Sequence, residues 1–134
     1  MSKLPLIAVV DDDEAVREAL CDLLQVEGFA ARPFENGAVF LADAAAGSCD
    51  CLITDVRMPE MDGLELQRQL TARGSAMPVI FITSSSDEKT RTRALEGGAF
   101  AWFGKPATDE ALLGALRAAL DRSGGFGGTE PSGD

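Results

Sequence analysis

The chain has 134 residues, of which 46% are hydrophobic, and a formal net charge of −10. This length suits a single domain, and no apolar run approaches the ~20 residues that a membrane-spanning helix needs. A surface this acidic would be repelled by a phosphate backbone, so direct binding of nucleic acid by this chain is not expected. The first residues lack the long apolar stretch of a secretory signal, and we expect a cytoplasmic protein without membrane contact.

The chain contains three cysteines and no histidine. An odd number of cysteines argues against a disulfide framework, and the Cys49-Asp50-Cys51 segment lacks the two-residue gap of zinc sites. We therefore interpret the thiols as structural. The absence of histidine excludes Ser-His-Asp and Cys-His catalysis, and any phosphohistidine must belong to another protein.

Apolar runs rich in β-forming residues alternate with amphipathic stretches along the chain. The predicted elements in chain order are strand 6–10, helix 13–27, strand 30–34, helix 36–46, strand 51–54, helix 62–73, strand 79–83, helix 87–96, strand 100–103 and helix 108–122. Asn36 and Thr108 are predicted N-caps. Residues 4–122 form the predicted domain, and the glycine-rich segment 123–134 is predicted to be a flexible tail.

Five strands that alternate with five helices predict an α/β fold with a parallel sheet covered on both faces. Because five units are too few to close a barrel, we expect an open, doubly wound, flavodoxin-like sheet with strand order 2-1-3-4-5. Pro33 suits an edge strand, which agrees with that order. Functional sites in such sheets form beyond the carboxyl ends of the strands.

Polar residues follow four of the predicted strands and should converge on that edge. Asp11 and Asp12 follow the first strand, Asp55 the third and Lys105 the fifth, while Thr83 ends the fourth. Taken singly, each could be a helix cap, a turn residue or a solvated lysine. Together, the carboxylates favour a Mg²⁺ site, since a divalent cation removes their mutual repulsion. The lysine and hydroxyl could neutralise a phosphoryl group, and an aspartate can itself be the nucleophile.

Four segments resemble the signature segments of response-regulator receiver domains: VVDDDEAVREAL, ITDVRMPEMDG, VIFITSSSD and AWFGKP. The resemblance extends over about residues 6–120, and it is strongest to receivers of the nitrogen-fixation-regulator type. It implies a receiver fold, a role in two-component phosphorelay signalling, and Mg²⁺ as cofactor.

The resemblance also implies a role for individual residues. These are Asp55 as phosphoryl acceptor, Asp11 and Asp12 as Mg²⁺ ligands together with Asp55 and the backbone carbonyl of Arg57, Thr83 as switch hydroxyl, Lys105 as essential lysine, Trp102 as aromatic switch residue and Pro106 as a proline after a cis peptide bond. Trp102 departs from the tyrosine or phenylalanine usual at its position. A half-exposed aromatic residue on an edge strand is the alternative interpretation.

The implied partner is a sensor histidine kinase or a histidine phosphotransfer protein. A homodimer through the face formed by the fourth helix, fifth strand and fifth helix is a further expectation. We expect no enzymatic activity beyond the chain's own phosphorylation and dephosphorylation. The alternatives are a phosphohydrolase with an aspartate nucleophile, which Arg57 in place of a second aspartate argues against, and a receiver-like module that binds no metal. A stand-alone receiver is favoured over a fragment of a DNA-binding transcriptional regulator.

Overall fold

The computed structural model describes residues 4–43, 47–84, 87–105 and 107–122. The predicted tail and the predicted cis-proline Pro106 lie outside these residues. The elements in chain order are β1 (Leu6–Val10), α1 (Glu14–Val26), β2 (Ala30–Phe34), α2 (Gly37–Ala42), β3 (Cys51–Thr54), α3 (Gly63–Ala72), β4 (Val79–Thr83), α4 (Glu88–Glu96), β5 (Ala101–Gly104) and α5 (Asp109–Arg122).

All five strands join one parallel sheet in the order β2-β1-β3-β4-β5, as predicted. Pro33 lies on the edge strand β2, where its missing N–H breaks no ladder. Val10 at the end of β1 aligns with Thr54 at the end of β3. The residues that follow these two strands therefore emerge side by side at the carboxyl edge of the sheet.

The sheet buries a separate hydrophobic layer on each face, because successive side chains of a strand point to opposite sides. On one face, Ile7, Ile53 and Ile80 pack against α1 and α5. On the other face, the layer against α2, α3 and α4 is formed by Ala8, Val10, Phe40, Leu52, Leu66 and Phe81. Both faces of the central strands are buried, which explains their continuous apolar runs.

Side-chain caps set the starts of the helices. Asp13 accepts hydrogen bonds from Ala15 N and Val16 N at the start of α1. Asn36 accepts from Val39 N, and Thr108 Oγ1 accepts from Ala111 N, so both predicted N-caps are confirmed. None of the helices in the described ranges is both long and apolar enough to cross a membrane.

Four predicted helices (13–27, 62–73, 87–96 and 108–122) differ from those observed only by including capping residues, whereas α2 and β5 differ by more. Helix α2 ends at Ala42, because the backbone of Asp43 is extended (φ −85°, ψ 138°); residues 44–46 of the predicted helix lie outside the described residues. The carboxylate of Asp43 instead forms an ion pair with Arg32 of β2 at 3.3 Å. Strand β5 begins at Ala101 and ends at Gly104, one residue later than predicted. Residues 99–103 are all apolar, and such a continuous run leaves a shift of one residue undetermined.

Candidate functional site

Three aspartates meet at the carboxyl edge of the sheet. Asp11 and Asp12 follow β1, and Asp55 follows β3, where its backbone N–H donates to Val10 O at 3.2 Å. One carboxylate oxygen from each of the three lies within 4.8 Å of the others. Asp11 and Asp55 are buried, whereas Asp12 is exposed. The predicted convergence of these acids is therefore present.

Lys105 lies between the two buried acids. Its Nζ donates to Asp11 Oδ2 at 3.1 Å and to Asp55 Oδ2 at 3.0 Å. Partial burial acts to lower the pKa of Lys105, but the hydrogen bonds to Asp55 and Asp11 outweigh it and raise that pKa above its ordinary value. The ammonium group is therefore charged across the physiological range. The backbone N–H of Lys105 also donates to Thr83 O at 2.8 Å, which fixes the loop after β5 to the end of β4.

Burial and hydrogen bonds act on the pKa of Asp11 in opposite directions. Desolvation is the largest influence and raises the pKa of Asp11, while the hydrogen bond from Asp13 N (2.9 Å to Oδ1) and the contact with Lys105 oppose it. The result is a pKa above the ordinary value for an aspartate. A nearby positive charge stabilises the ionised form of a buried carboxylate in this position.

Asp55 is oriented by the loop that follows it. Its Oδ1 accepts from Val56 N at 2.7 Å and from Arg57 N at 3.4 Å. These bonds place the main chain of Arg57 beside the acidic cluster, and the predicted role of its carbonyl as a metal ligand stays a prediction. Gly63, the first residue of α3, packs on the same loop. A Cβ atom at this position would lie 2.3 Å from Asp55 O, so only glycine lets α3 approach so closely.

Thr83 and Trp102 lie on the same face of the sheet. Thr83 is fully buried at the end of β4, and Trp102 is half-buried on the edge strand β5. The ring of Trp102 packs against Phe81, with centroids 5.7 Å apart. Phe81 thus lies two residues before Thr83 and touches Trp102. The predicted switch roles of Thr83 and Trp102 stay predictions.

Two polar contacts near the site were not anticipated from the sequence. Arg17 Nη1 donates to the backbone carbonyl of Asp11 at 2.7 Å. The buried Gln67 of α3 donates to Ala94 O of α4 at 2.9 Å. Both side chains bind backbone carbonyls, which leave no pattern in a sequence. The helical spacing of Arg17 relative to Asp13 is the only signal that could have pointed to the first contact.

The donor set suits a small, hard cation. Three carboxylates supply oxygen ligands, and no described histidine or thiol belongs to the cluster. Asp12 is exposed, while Asp11 and Asp55 each accept main-chain hydrogen bonds on Oδ1 and a hydrogen bond from Lys105 on Oδ2. Lys105 supplies a positive charge in contact with both buried carboxylates. This arrangement can therefore hold an anion next to a bound cation.

The chain matches the family described as "Response regulator receiver domain" over residues 7–117. It is 47% identical over 115 residues to the response regulator protein TodT of Pseudomonas putida, which covers 86% of this chain and 51% of TodT. It is 42% identical over 117 residues to the transcriptional regulatory protein FixJ of Azorhizobium caulinodans, covering 87% and 56% of the two chains. The chain thus spans about half the length of the curated relatives it matches.

Solved structures of response regulators also match the fold of this chain. The crystal structure of FixJ-N has a TM-score of 0.80 at 33% identity, covering 90% of this chain and 96% of that one. The response regulator StyR has a TM-score of 0.83 at 40% identity, covering 90% of this chain and 61% of that one. The match to FixJ bears out the resemblance seen in the signature segments. The chain belongs to the response regulator receiver domains of two-component signalling systems.

Proposed function

We propose that this receiver accepts a phosphoryl group on Asp55 from a phosphohistidine of a partner protein, with Mg²⁺ bound, and thereby changes its affinity for a downstream partner. The single observation that carries this proposal is the contact of Lys105 Nζ with both Asp11 (3.1 Å) and Asp55 (3.0 Å), beside a third carboxylate. Charge of both signs is concentrated where a phosphoryl group would arrive, and phosphoryl transfer depends mainly on such positioning and neutralisation.

The step itself requires little of the protein beyond orientation. A carboxylate oxygen of Asp55 attacks phosphorus, the P–N bond to the partner's imidazole breaks, and the electron pair leaves with the imidazole, which takes up a proton. The product is an acyl phosphate on Asp55. Hydrogen bonds from Val56 N and Arg57 N to Oδ1 hold the carboxylate in one orientation for the attack.

The metal proposal concerns Asp11, Asp12 and Asp55, with the Arg57 carbonyl as a further ligand. When bound, Mg²⁺ would offset the charge on the phosphoryl oxygens. Lys105 neutralises a second oxygen, and it is free to do so once a cation replaces it as the partner of Asp11 and Asp55. Thr83, at the end of β4, is the hydroxyl we assign to a third oxygen.

The output is proposed to run through the face formed by α4, β5 and α5. Movement of Thr83 toward a phosphoryl group would disturb its neighbour Phe81 and so the packing of Trp102, which is half-buried on β5. The altered face would then bind a partner or a second copy of the chain. The chain itself is proposed to act in the cytoplasm, to bind no DNA directly, and to catalyse only its own phosphorylation and dephosphorylation.

Two arrangements are compatible with this role: a stand-alone receiver, and a receiver within a longer regulator. The match covers only 51% of TodT, so a receiver within a longer regulator agrees with the comparison as well as a stand-alone receiver does. An immunoblot of the native host with an antibody against this chain distinguishes them. A band near the 14.1 kDa of the chain indicates a stand-alone receiver, and a band of clearly higher mass indicates a longer regulator.

Incubation with acetyl phosphate and Mg²⁺, followed by intact-mass measurement, tests the phosphoryl proposal. Wild type should gain one phosphoryl group, and chelation of Mg²⁺ by EDTA should abolish the gain. Asp55→Asn should gain none. The control Asp109→Asn removes the same charge from an exposed position at the start of α5 and should behave as wild type. Equal gain by wild type and Asp55→Asn, or no gain by either, would contradict the proposal.

A further inference from the structure

We propose that Arg17 is a positioning residue for the metal site: it fixes the backbone of Asp11 so that the acidic pair faces Asp55. The inference rests on the proposed function for its purpose, but it starts from a contact outside the acidic cluster. Arg17 Nη1 lies 2.7 Å from the carbonyl oxygen of Asp11, and Arg17 is six residues further along the chain, in the first turn and a half of α1.

The contact between Arg17 and Asp11 lies just beyond the end of β1. Asp11 N still donates to Phe34 O at 3.2 Å, which is the last bond of the β1–β2 edge. Helix α1 begins only at Glu14, so the turn between them carries Asp11 and Asp12 without a regular ladder. A charge-assisted hydrogen bond to the Asp11 carbonyl is a strong tether at such a point.

Besides the main-chain bond to Phe34, three contacts hold Asp11, and they respond differently to a bound ligand. Its carboxylate accepts from Asp13 N (2.9 Å) and from Lys105 Nζ (3.1 Å), and its carbonyl accepts from Arg17. The Lys105 contact competes with any cation or phosphoryl group at the site. The Arg17 contact uses a backbone atom on the other side of the residue, so it persists while the carboxylates change partners.

Arg17 also lies among acids. A cleft of about 340 Å³ beside Asp12 is also lined by Glu14, Glu35 and Glu60. Arg17 is the only cation among the described residues that line it. Charge alone would make Arg17 an obstacle to Mg²⁺, because it lowers the negative potential around the cluster. If Arg17 instead positions Asp11, its presence favours Mg²⁺ binding. Removal of Arg17 should weaken Mg²⁺ binding if it positions Asp11 and strengthen binding if it acts only through its charge.

The test compares Arg17→Met and Arg17→Lys with the control Arg117→Met, which removes the same charge from exposed α5, where Arg117 pairs with Glu27. Methionine has nearly the helix propensity of arginine, so α1 should keep its stability. Calorimetric titration with Mg²⁺ should show about tenfold weaker binding for Arg17→Met, as is typical when a residue that orients a metal ligand is lost. Arg17→Lys should recover part of the loss, and Arg117→Met should bind as wild type.

Two further readouts separate positioning from other roles. In protein treated with EDTA, hydrogen exchange at the amide of Asp13 should be faster in Arg17→Met than in wild type. With acetyl phosphate, the Mg²⁺ concentration that gives half the maximal rate should rise about tenfold, while the rate at saturating Mg²⁺ should stay near that of wild type. If Arg17→Met does not fold, Arg17→Gln serves in its place with the same expectations.

Unchanged or tighter Mg²⁺ binding by Arg17→Met, or unchanged exchange at Asp13, would overturn the positioning role. A wild-type protein that binds no Mg²⁺ and accepts no phosphoryl group would instead contradict the proposed function. The exchange measurement would still report on the tether in that case, because it uses protein without metal.

Discussion

At the scale of single residues, the site depends on how buried charges are compensated. Lys105 satisfies Asp11 and Asp55 at once, and its pKa stays above the ordinary value of about 10.4 even though burial opposes it. A single ammonium group cannot compensate three neighbouring carboxylates, and Asp12 faces solvent. The site is thus left with an excess of negative charge on one side, which is where a divalent cation gains most.

Gly63 is the residue whose replacement should most directly distort the acceptor loop. A methyl group there would lie 2.3 Å from Asp55 O and 2.9 Å from Cε1 of Phe81, so α3 or the loop must shift. We expect Gly63→Ala to lower the free energy of unfolding by about 1–3 kcal/mol, as is usual for overpacking. Urea denaturation followed by circular dichroism measures it.

The matched control is Gly114→Ala in α5, where an added Cβ meets no atom within 4 Å. Because alanine is the better helix former, this variant should gain about 0.5–1 kcal/mol. Opposite signs for the two substitutions are expected, and a neutral Gly63→Ala would show that the loop yields without cost.

The cysteines should differ sharply in reactivity. Burial raises the pKa of the fully buried Cys51 to about 12, and it also raises the pKa of Cys49, which is only half-buried. Alkylation requires the thiolate, so iodoacetamide at mildly alkaline pH should modify Cys51 at least about tenfold more slowly than Cys49. Peptide mass spectrometry over time measures both rates. In urea the difference should vanish, and equal rates in the folded protein would mean that β3 opens readily.

At the scale of elements, α3 links the acceptor loop to the proposed output face. Its first residue, Gly63, packs on Asp55, and its Gln67 reaches Ala94 near the end of α4. Ala94 O also accepts from Ala99 N at 3.0 Å, in the turn that leads to β5. A displacement of α3 would therefore be transmitted to the end of α4.

Gln67→Ala should weaken this link. We expect the free energy of unfolding to fall by about 1 kcal/mol, the usual net worth of one hydrogen bond, because Ala94 O keeps its bond from Ala99 N. Amide hydrogen exchange in the last turn of α4 should rise. The neighbouring Gln69→Ala removes only a bond to Glu65 within α3 and should leave exchange in α4 unchanged. Equal exchange in both variants would contradict the link.

The start of α4 should give a pH-dependent contribution to stability. Hydrogen bonds from Thr90 Oγ1 (2.8 Å) and Lys89 N (3.1 Å) hold the pKa of Asp87 below its ordinary value. A depressed pKa stabilises the folded state above the ordinary aspartate pKa of about 3.9, and the contribution is lost as pH falls through the folded value.

Thermal unfolding of Asp87→Ala should therefore show a lower midpoint than wild type near neutral pH, with the gap closing in acid. Asp87→Asn keeps an acceptor for the cap and should retain most of the neutral-pH stability without this pH dependence. A gap between wild type and Asp87→Ala that stays constant into acid would contradict the assignment.

Element identity was predictable from the sequence because most strands are apolar runs and most helices have a capping residue. The end of α2 was not, because residues 38–46 contain no glycine or proline and alanine favours helix. The ion pair of Asp43 with Arg32 that accompanies its end joins residues distant in sequence. The hydrogen bonds that Arg17 and Gln67 donate were not predictable for a related reason, since a backbone carbonyl as acceptor has no sequence signature.

At the scale of the whole molecule, the strand order creates the site. Placing β1 beside β3 brings Asp11 and Asp12 to Asp55, and the return of the chain through β5 brings Lys105 over both buried acids. Parallel pairing rules made this convergence predictable before the structure was known. They could not show that Lys105 contacts two carboxylates at once, because that depends on the path of a loop.

The central claim is that Asp55 itself becomes the acyl phosphate. After incubation with acetyl phosphate and Mg²⁺, borohydride reduction would convert an aspartyl phosphate to homoserine, and peptide mass spectrometry would locate it. We expect homoserine at position 55 in wild type and none when Mg²⁺ is chelated. Homoserine at Asp11 or Asp12, or at no aspartate under any of these conditions, would contradict the account.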